Sequence, residues 1–331
     1  MKKDRPKKIL IIKLGAMGDV IHTSIIATAI KQKHPDWQVN FLTAKFYADI
    51  IKNHPHIDNV IYWDRSKRKS LKYVLPIIFK LFKTRYDIIF NLTRALLNNI
   101  ISLLAFPKKY QGKMRFETSW IEEYFLTAKN VIKDLEQPER LYLGTNSPIS
   151  EKVQKALENK PRPFFVFSPG GDSNFSREGR IWNLKKWAEL SEKLNQEFSG
   201  TIFVCGSPRE KEKHLALSSN IVNVYSGDFN TSEMSDFISQ ADMMISGDTG
   251  PLHVASAHDI KTLALLGSTS PEKIKPYGKN GYYISAKHNC LYCWNKKCKH
   301  LKEGEIYTPC MEALSVDEVF EKIKEIYNKS L

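Results

Sequence analysis

The sequence predicts an α/β protein of two doubly wound domains, each built on a parallel sheet. Three observations predict it. At 331 residues the chain is long for one core and suits two domains of about 150 residues each. Short apolar, β-branched runs alternate with helix-length segments from end to end, which is the pattern of βαβ units. The pattern also restarts: KILIIKLGAMGD near the beginning and PFFVFSPGGD near the middle both read as a strand running into a glycine-containing turn. That echo is what two Rossmann-like domains in series would give.

Strands are expected at 9–13, 39–43, 60–63 and 87–92 in the first half. In the second half they are expected at 164–167, 201–205, 221–224, 243–246, 262–266 and 282–285. Helical patterns fall between them, at 20–33, 184–198, 232–240 and 316–328 among others. The polar stretch 146–163, with a charged helical segment and then KPRP, marks the boundary. The expected domains are 1–158, basic, and 159–331.

Charge is unevenly placed. Residues 1–150 hold 26 Lys and Arg against 13 Asp and Glu; residues 151–331 hold 24 against 23. A Lys-rich proteome would bias both halves, so the excess in one half points to anionic partners of that half. No recognition-helix or RNP-type motif accompanies it, which argues against nucleic acid. The opening basic-then-apolar run is interrupted by Lys13 and no small-residue cleavage site follows, so a cytoplasmic protein is expected. The apolar stretch 95–107 is too short to span a bilayer.

Six segments carry candidate chemistry or binding surface. Leu14-Gly15-Ala16-Met17-Gly18-Asp19 joins a buried strand to a helix; Asp19 is either a site carboxylate beyond the strand's carboxyl end or the helix cap. Gly247-Asp248-Thr249-Gly250-Pro251-Leu252-His253 follows another strand and opens a helix. Its backbone amides, the Thr249 hydroxyl and the His253 imidazole could converge on a diphosphate, or the segment is a capped turn with a buried histidine. Ser168-Pro169-Gly170-Gly171 leads into a polar loop carrying Ser176, Arg177 and Arg180, with Arg suited to phosphate. Gly206-Ser207-Pro208-Arg209-Glu210 offers a carboxylate for ribose hydroxyls at Glu210 or Glu212, or plain helix-start acids. Cys290, Cys293, Cys298 and Cys310 have a spacing that could hold structural zinc, against the alternatives of free thiols or a redox-dependent disulfide. Finally, residues 66–86 mix Lys and Arg with Leu, Ile and Phe. This segment is either a surface for anionic membrane or an amphipathic packing segment, and Pro76 argues against one straight helix.

Together these segments resemble the bacterial ADP-heptose:lipopolysaccharide heptosyltransferases of glycosyltransferase family 9. The resemblance runs through KLGAMGDVIHTSIIATAIKQKHP, NLTRALLNNIISLLAFPKKYQGKMRF, FSPGGDSNFSREGRIWNLKKWAEL and GDTGPLHVASAHDIKTLALLGSTSPEKIKPYG, nearly the whole chain. It implies the GT-B architecture, in which two Rossmann-like domains face a central cleft. It also implies inverting transfer of heptose from ADP-L-glycero-D-manno-heptose to a lipopolysaccharide core acceptor, with no metal at the reaction centre. ADP-heptose is then a co-substrate and no cofactor is expected. The implied partners are the nucleotide sugar, an anionic glycolipid and the inner membrane face. By the same resemblance Asp19 is the general base, and Asp248, Thr249, Gly250 and His253 hold the diphosphate. Ser176 and Arg180 contact phosphate, Arg180 standing where members place Lys, and Gly171 is a further donor-binding residue. Glu210 matches the ribose-binding Glu, and Phe229 lines the adenine pocket. A same-fold enzyme with another donor and a non-catalytic binding protein are the alternatives.

Overall fold

A computed structural model describes residues 5–68, 70–93, 107–170, 180–294 and 298–329. It divides into two compact units, 1–144 and 145–331.

The first unit runs β1 (Lys8–Ile12), α1 (Met17–Thr23), α2 (Ile25–Lys33), β2 (Gln38–Ala44), α3 (Lys45–Ile51), β3 (Asn59–Trp63), α4 (Leu71–Thr84), β4 (Ile88–Asn91), β5 (Lys109–Gly112) and α5 (Trp120–Lys129). Its five strands are all parallel, in the order β3-β2-β1-β4-β5. The second unit runs α6 (Glu151–Leu157), β6 (Phe164–Ser168), α7 (Leu184–Phe198), β7 (Thr201–Val204), α8 (Lys211–Leu215), β8 (Val222–Val224), α9 (Thr231–Ser239), β9 (Met243–Ser246), α10 (Gly250–Ala257), β10 (Lys261–Leu265), α11 (Pro271–Ile274), β11 (Gly281–Ile284), α12 (Pro309–Glu312) and α13 (Val316–Asn328). Its six parallel strands are ordered β11-β10-β9-β6-β7-β8.

Both orders are the same doubly wound pattern. The first strand of each unit lies at the centre, and the winding reverses between it and the unit's fourth strand. In such sheets ligands bind beyond the strand carboxyl ends at that reversal. The two glycine-turn repeats of the sequence come directly after β1 and β6, the first strands of the two units.

The central strands are buried on both faces and read as continuous apolar runs: KILII in β1, FFVFS in β6 and MMIS in β9. Helix starts carry their own signals. Asn230 accepts from the backbone N–H of Glu233 while Glu233 accepts from that of Asn230, and Ser315 with Glu318 repeats the device. Trp182 and Trp187 anchor the second core, the Trp182 indole donating to the Leu314 carbonyl at 2.9 Å. No helix among the described residues is long and apolar enough to cross a membrane.

All ten expected strands form. β5 was not expected, because KYQG is a short polar edge strand with no buried apolar run to announce it. The helix expected at 20–33 is two segments meeting at Ser24, and α4 runs through Pro76. The units part at Gly144/Thr145 rather than at 158/159. Asn146 donates from its side chain to Ser232 and Asp236 of α9, and α6 sits beside that helix, so the linker-like stretch folds as part of the second unit.

Candidate active site

In the first unit the site grows from the end of β1. Gly15 adopts a φ of +143°, and a Cβ there would lie 2.7 Å from the Tyr47 ring and 2.9 Å from the Arg65 guanidinium. Arg65 donates to the Leu14 carbonyl and fastens this turn. The N-cap of α1 is Ala16, and Asp19 sits in the helix's first turn. Its carboxylate is held instead by side chains from outside the helix. Lys13 Nζ lies 3.0 Å from Asp19 Oδ2, and the Tyr124 hydroxyl donates to Asp19 Oδ1 at 3.2 Å. Lys13 also donates to the Tyr124 oxygen at 2.8 Å, which closes a triangle.

The three groups differ in access. The Lys13 side chain is 9% exposed and that of Asp19 is 30% exposed. Tyr124 is fully buried, and burial together with the Asp19 charge drives its phenol far above the usual range, so it remains a donor. A carboxylate open to one side and fixed from the other two is placed to accept a proton from an incoming group. Lys13 and Tyr124 were not anticipated as site residues. The available signal for Lys13 was a charge ending an otherwise apolar buried strand; Tyr124, 105 residues from Asp19, had none.

In the second unit the site lies beyond β6 and β9, which pair directly across the reversal, Ser168 opposite Ser246. Gly170 has a φ of +76°, and a Cβ there would press on Thr249 at 3.3 Å. At Gly247 a Cβ would meet the Arg180 carbonyl at 2.7 Å, so only glycine lets that backbone cross the end of β9. The crossing sets Arg180 Nη2 3.0 Å from Asp248 Oδ2, with both side chains largely buried. His253 Nε2 lies 4.0 Å from Asp248 Oδ1. The Arg180 guanidinium stands 5.8 Å from the Trp294 ring centroid, a cation–π contact.

Thr249 is the N-cap of α10, and Pro251 occupies its first turn. The Thr249 hydroxyl is engaged at 2.8 Å with Ser246 and at 3.2 Å with Ser168. It therefore ties the two strand ends together. The helix start remains a source of backbone donors and positive dipole, as a diphosphate site requires.

A family model described as glycosyltransferase family 9 (heptosyltransferase) matches residues 80–303, which include this second site. The chain belongs to that family. Among its relatives are a lipopolysaccharide core heptosyltransferase of Haemophilus influenzae, 24% identical with 85% of each chain covered, and lipopolysaccharide heptosyltransferase 1 of Campylobacter coli, 22% identical with 97% and 99% covered. The fold matches the solved ADP-heptose lps heptosyltransferase II of Escherichia coli with a TM-score of 0.78, at 19% identity and with 98% and 99% of the chains covered. The E. coli heptosyltransferase WaaC with ADP matches at 0.72, also at 19% identity, with 96% and 99% covered.

The family resemblance singled out four further residues. Gly171 and Ser176 lie outside the described residues. Glu210 accepts from the Ser207 amide at 2.6 Å, so one oxygen closes its own turn, the helix-start role weighed against ribose binding. Phe229 is half-buried, stacked on Tyr225 with centroids 5.3 Å apart and packed against Phe237. Sequence reasoning missed His214, which is fully buried. It bonds Ser226 Oγ at 2.7 Å and the Gly170 carbonyl at 3.1 Å, so from α8 it joins the turn after β8 to the turn after β6. Cys290, Cys293 and Cys310 are free thiols, and burial with the neighbouring Cys293 pushes the Cys290 thiol up. Among the described residues no group of three or more His, Cys, Asp and Glu is arranged to hold a metal ion.

Proposed function

We propose that this family 9 enzyme transfers heptose from ADP-L-glycero-D-manno-heptose to a hydroxyl of an anionic lipopolysaccharide-core glycolipid, with inversion at the anomeric carbon. The observation that carries the reading is the Asp19 carboxylate, fixed by Lys13 and Tyr124 on one side and open on the other. The relatives, named as heptosyltransferases acting on lipopolysaccharide, support the donor and acceptor classes.

In the first unit Asp19 takes the proton of the acceptor hydroxyl as its oxygen bonds to the anomeric carbon. The bond from that carbon to the ADP oxygen breaks, and ADP leaves with the electron pair. In the second unit Arg180, His253 and the start of α10 at Thr249 and Gly250 receive the charge that develops on the diphosphate. Asp248 keeps Arg180 and His253 in place. Glu210 and Phe229 serve the ribose and adenine, Ser176 adds a phosphate contact, and Gly171 is a further donor-binding residue. The basic first half, 26 cationic against 13 anionic residues over 1–150, suits a phosphorylated glycolipid at the inner membrane face.

The test is calorimetric titration with ADP-heptose, UDP-glucose and GDP-mannose, followed by incubation of the best binder with truncated core glycolipids. Preference for ADP-heptose and a product heavier by one heptose residue support the reading. Preference for another donor overturns the substrate, and tight donor binding without product on any acceptor overturns the enzymatic role.

A further inference from the structure

Helix α4 is apolar on two faces, one buried and one exposed. Val74 and Leu81 are buried, with Tyr73, Ile77 and Ile78 packed beside them on the core formed by β1, β2 and β3. On another face Leu71 is 70% exposed, Leu75 56%, Phe79 65% and Phe82 46%. At about 100° per residue these four positions fall within roughly 80° of one another and form one stripe along a helix about 21 Å long. Single exposed apolar residues are ordinary; a continuous stripe of Leu and Phe marks an interaction surface.

The surroundings of the stripe select its partner. From 65 to 86 the sequence holds Arg65, Lys67, Arg68, Lys69, Lys72, Lys80, Lys83 and Arg85, and no acidic residue. Lys72 and Lys83 lie at the border of the stripe on the helical wheel, and both are exposed. Lysine stems extend along apolar surface and carry their charge to a polar boundary. Apolar side chains with cations at their edge are the complement of acyl chains under anionic headgroups.

We propose that the outer face of α4 docks on an anionic lipid bilayer, with Leu71, Leu75, Phe79 and Phe82 entering the headgroup boundary and Lys72 and Lys83 pairing with lipid phosphates. The docking helix and the Asp19 turn are joined within one unit, because Arg65, just ahead of α4, donates to the Leu14 carbonyl. Docking therefore brings the proposed base to the surface where a lipid-anchored acceptor lies; this last step rests on the proposed function, whereas the docking itself does not.

The experiment is co-sedimentation of the full chain with phosphatidylcholine vesicles, with and without phosphatidylglycerol, at low and high salt. Binding to the anionic vesicles is expected, weaker at high salt. Phe79→Glu with Leu75→Glu, and separately Lys72→Glu with Lys83→Glu, should each reduce it about tenfold or more. ADP affinity and thermal melting, read on the same variants, should stay at wild-type values and report an intact fold. Turnover should fall on vesicle-borne acceptor and hold on a delipidated one. No wild-type binding to anionic vesicles, or binding that neither pair changes, overturns the proposal. So does a self-association of the wild type that Phe79→Glu abolishes, which would make a second copy the occupant. Loss of turnover on both acceptors with vesicle binding intact would instead count against the proposed chemistry.

Discussion

Asp19 and Asp248 stand on opposite sides of the winding reversal in two sheets of the same pattern, Asp19 after the first strand of its unit and Asp248 after the fourth strand of its own. Each comes after a central strand and a glycine turn, each stands at a helix start, and each faces a cationic nitrogen at 3.0 Å. Their environments differ. The Asp19 side chain is 30% exposed and its lysine comes from the strand just before it. Asp248 is 10% exposed and its arginine arrives from another loop, admitted by Gly247. Exposure decides which can meet a substrate. An acid with one open side can take a proton, whereas an acid closed in with Arg and His can only hold them. On the proposed function, one local device thus yields a reacting group in one unit and a scaffold for ligand-binding cations in the other.

The comparison breaks first at turnover. Asp19→Asn should lower kcat about 10²- to 10⁴-fold with ADP affinity unchanged, as loss of a general base does. Calorimetry and product mass on one preparation check both halves, and unchanged kcat would remove Asp19 from the mechanism. Arg180→Met should act in the opposite sense. It leaves the Asp248 carboxylate buried without its cation, at a cost of about 3–5 kcal/mol, and it should weaken ADP binding. Urea unfolding with ADP titration would show this, while Asp19→Asn should unfold close to wild type. Next in size, Tyr124→Phe removes a hydroxyl bonded to both Lys13 and Asp19. A kcat about tenfold lower with an unchanged donor KM would mark Tyr124 as a positioning residue; a donor KM rising in step would not.

The smallest effect concerns acid. Both units bury a histidine that the proposed chemistry does not use, His54 in the first and His214 in the second. Burial lowers both, His54 to about 3. Between that value and the ordinary 6.5 the unfolded chain binds a proton that folded His54 refuses. The stability is therefore complete above pH 6.5 and lost as pH falls toward 3. From pH 7 to 5.5 His54 alone should cost about 1 kcal/mol. His54→Gln should flatten that slope in urea unfolding, and an unchanged slope would place the acid sensitivity elsewhere.

Much of the fold was legible because its strands are buried on both faces. Residues 243–245 and 164–167 had to be apolar to be central, and glycines after them had to be glycine for backbones to pass. The polar edge strand 109–112 lacks that constraint and left no trace. Asp19, Arg180 and Asp248 could be read from their turns because the turn motifs are local. The family resemblance supplied their roles, which spacing did not. Pro76 does not end α4, although as the helix's sixth residue it removes one backbone hydrogen bond. The apolar content of 66–86 was visible, but not that it divides between a buried and an exposed face.

By itself the sequence determined the strand–helix alternation, the two glycine-turn repeats and the surplus of cations in the first half, because burial, backbone conformation and charge are properties of short segments. Only the tertiary structure decided that Lys13 and Tyr124 meet at Asp19, that Gly247 admits Arg180 to Asp248, that His214 joins two turns, and which face of α4 the core leaves exposed. Those are encounters between residues far apart in the chain or choices among faces of one helix. Distance along the sequence carries no record of them until the sheets have closed.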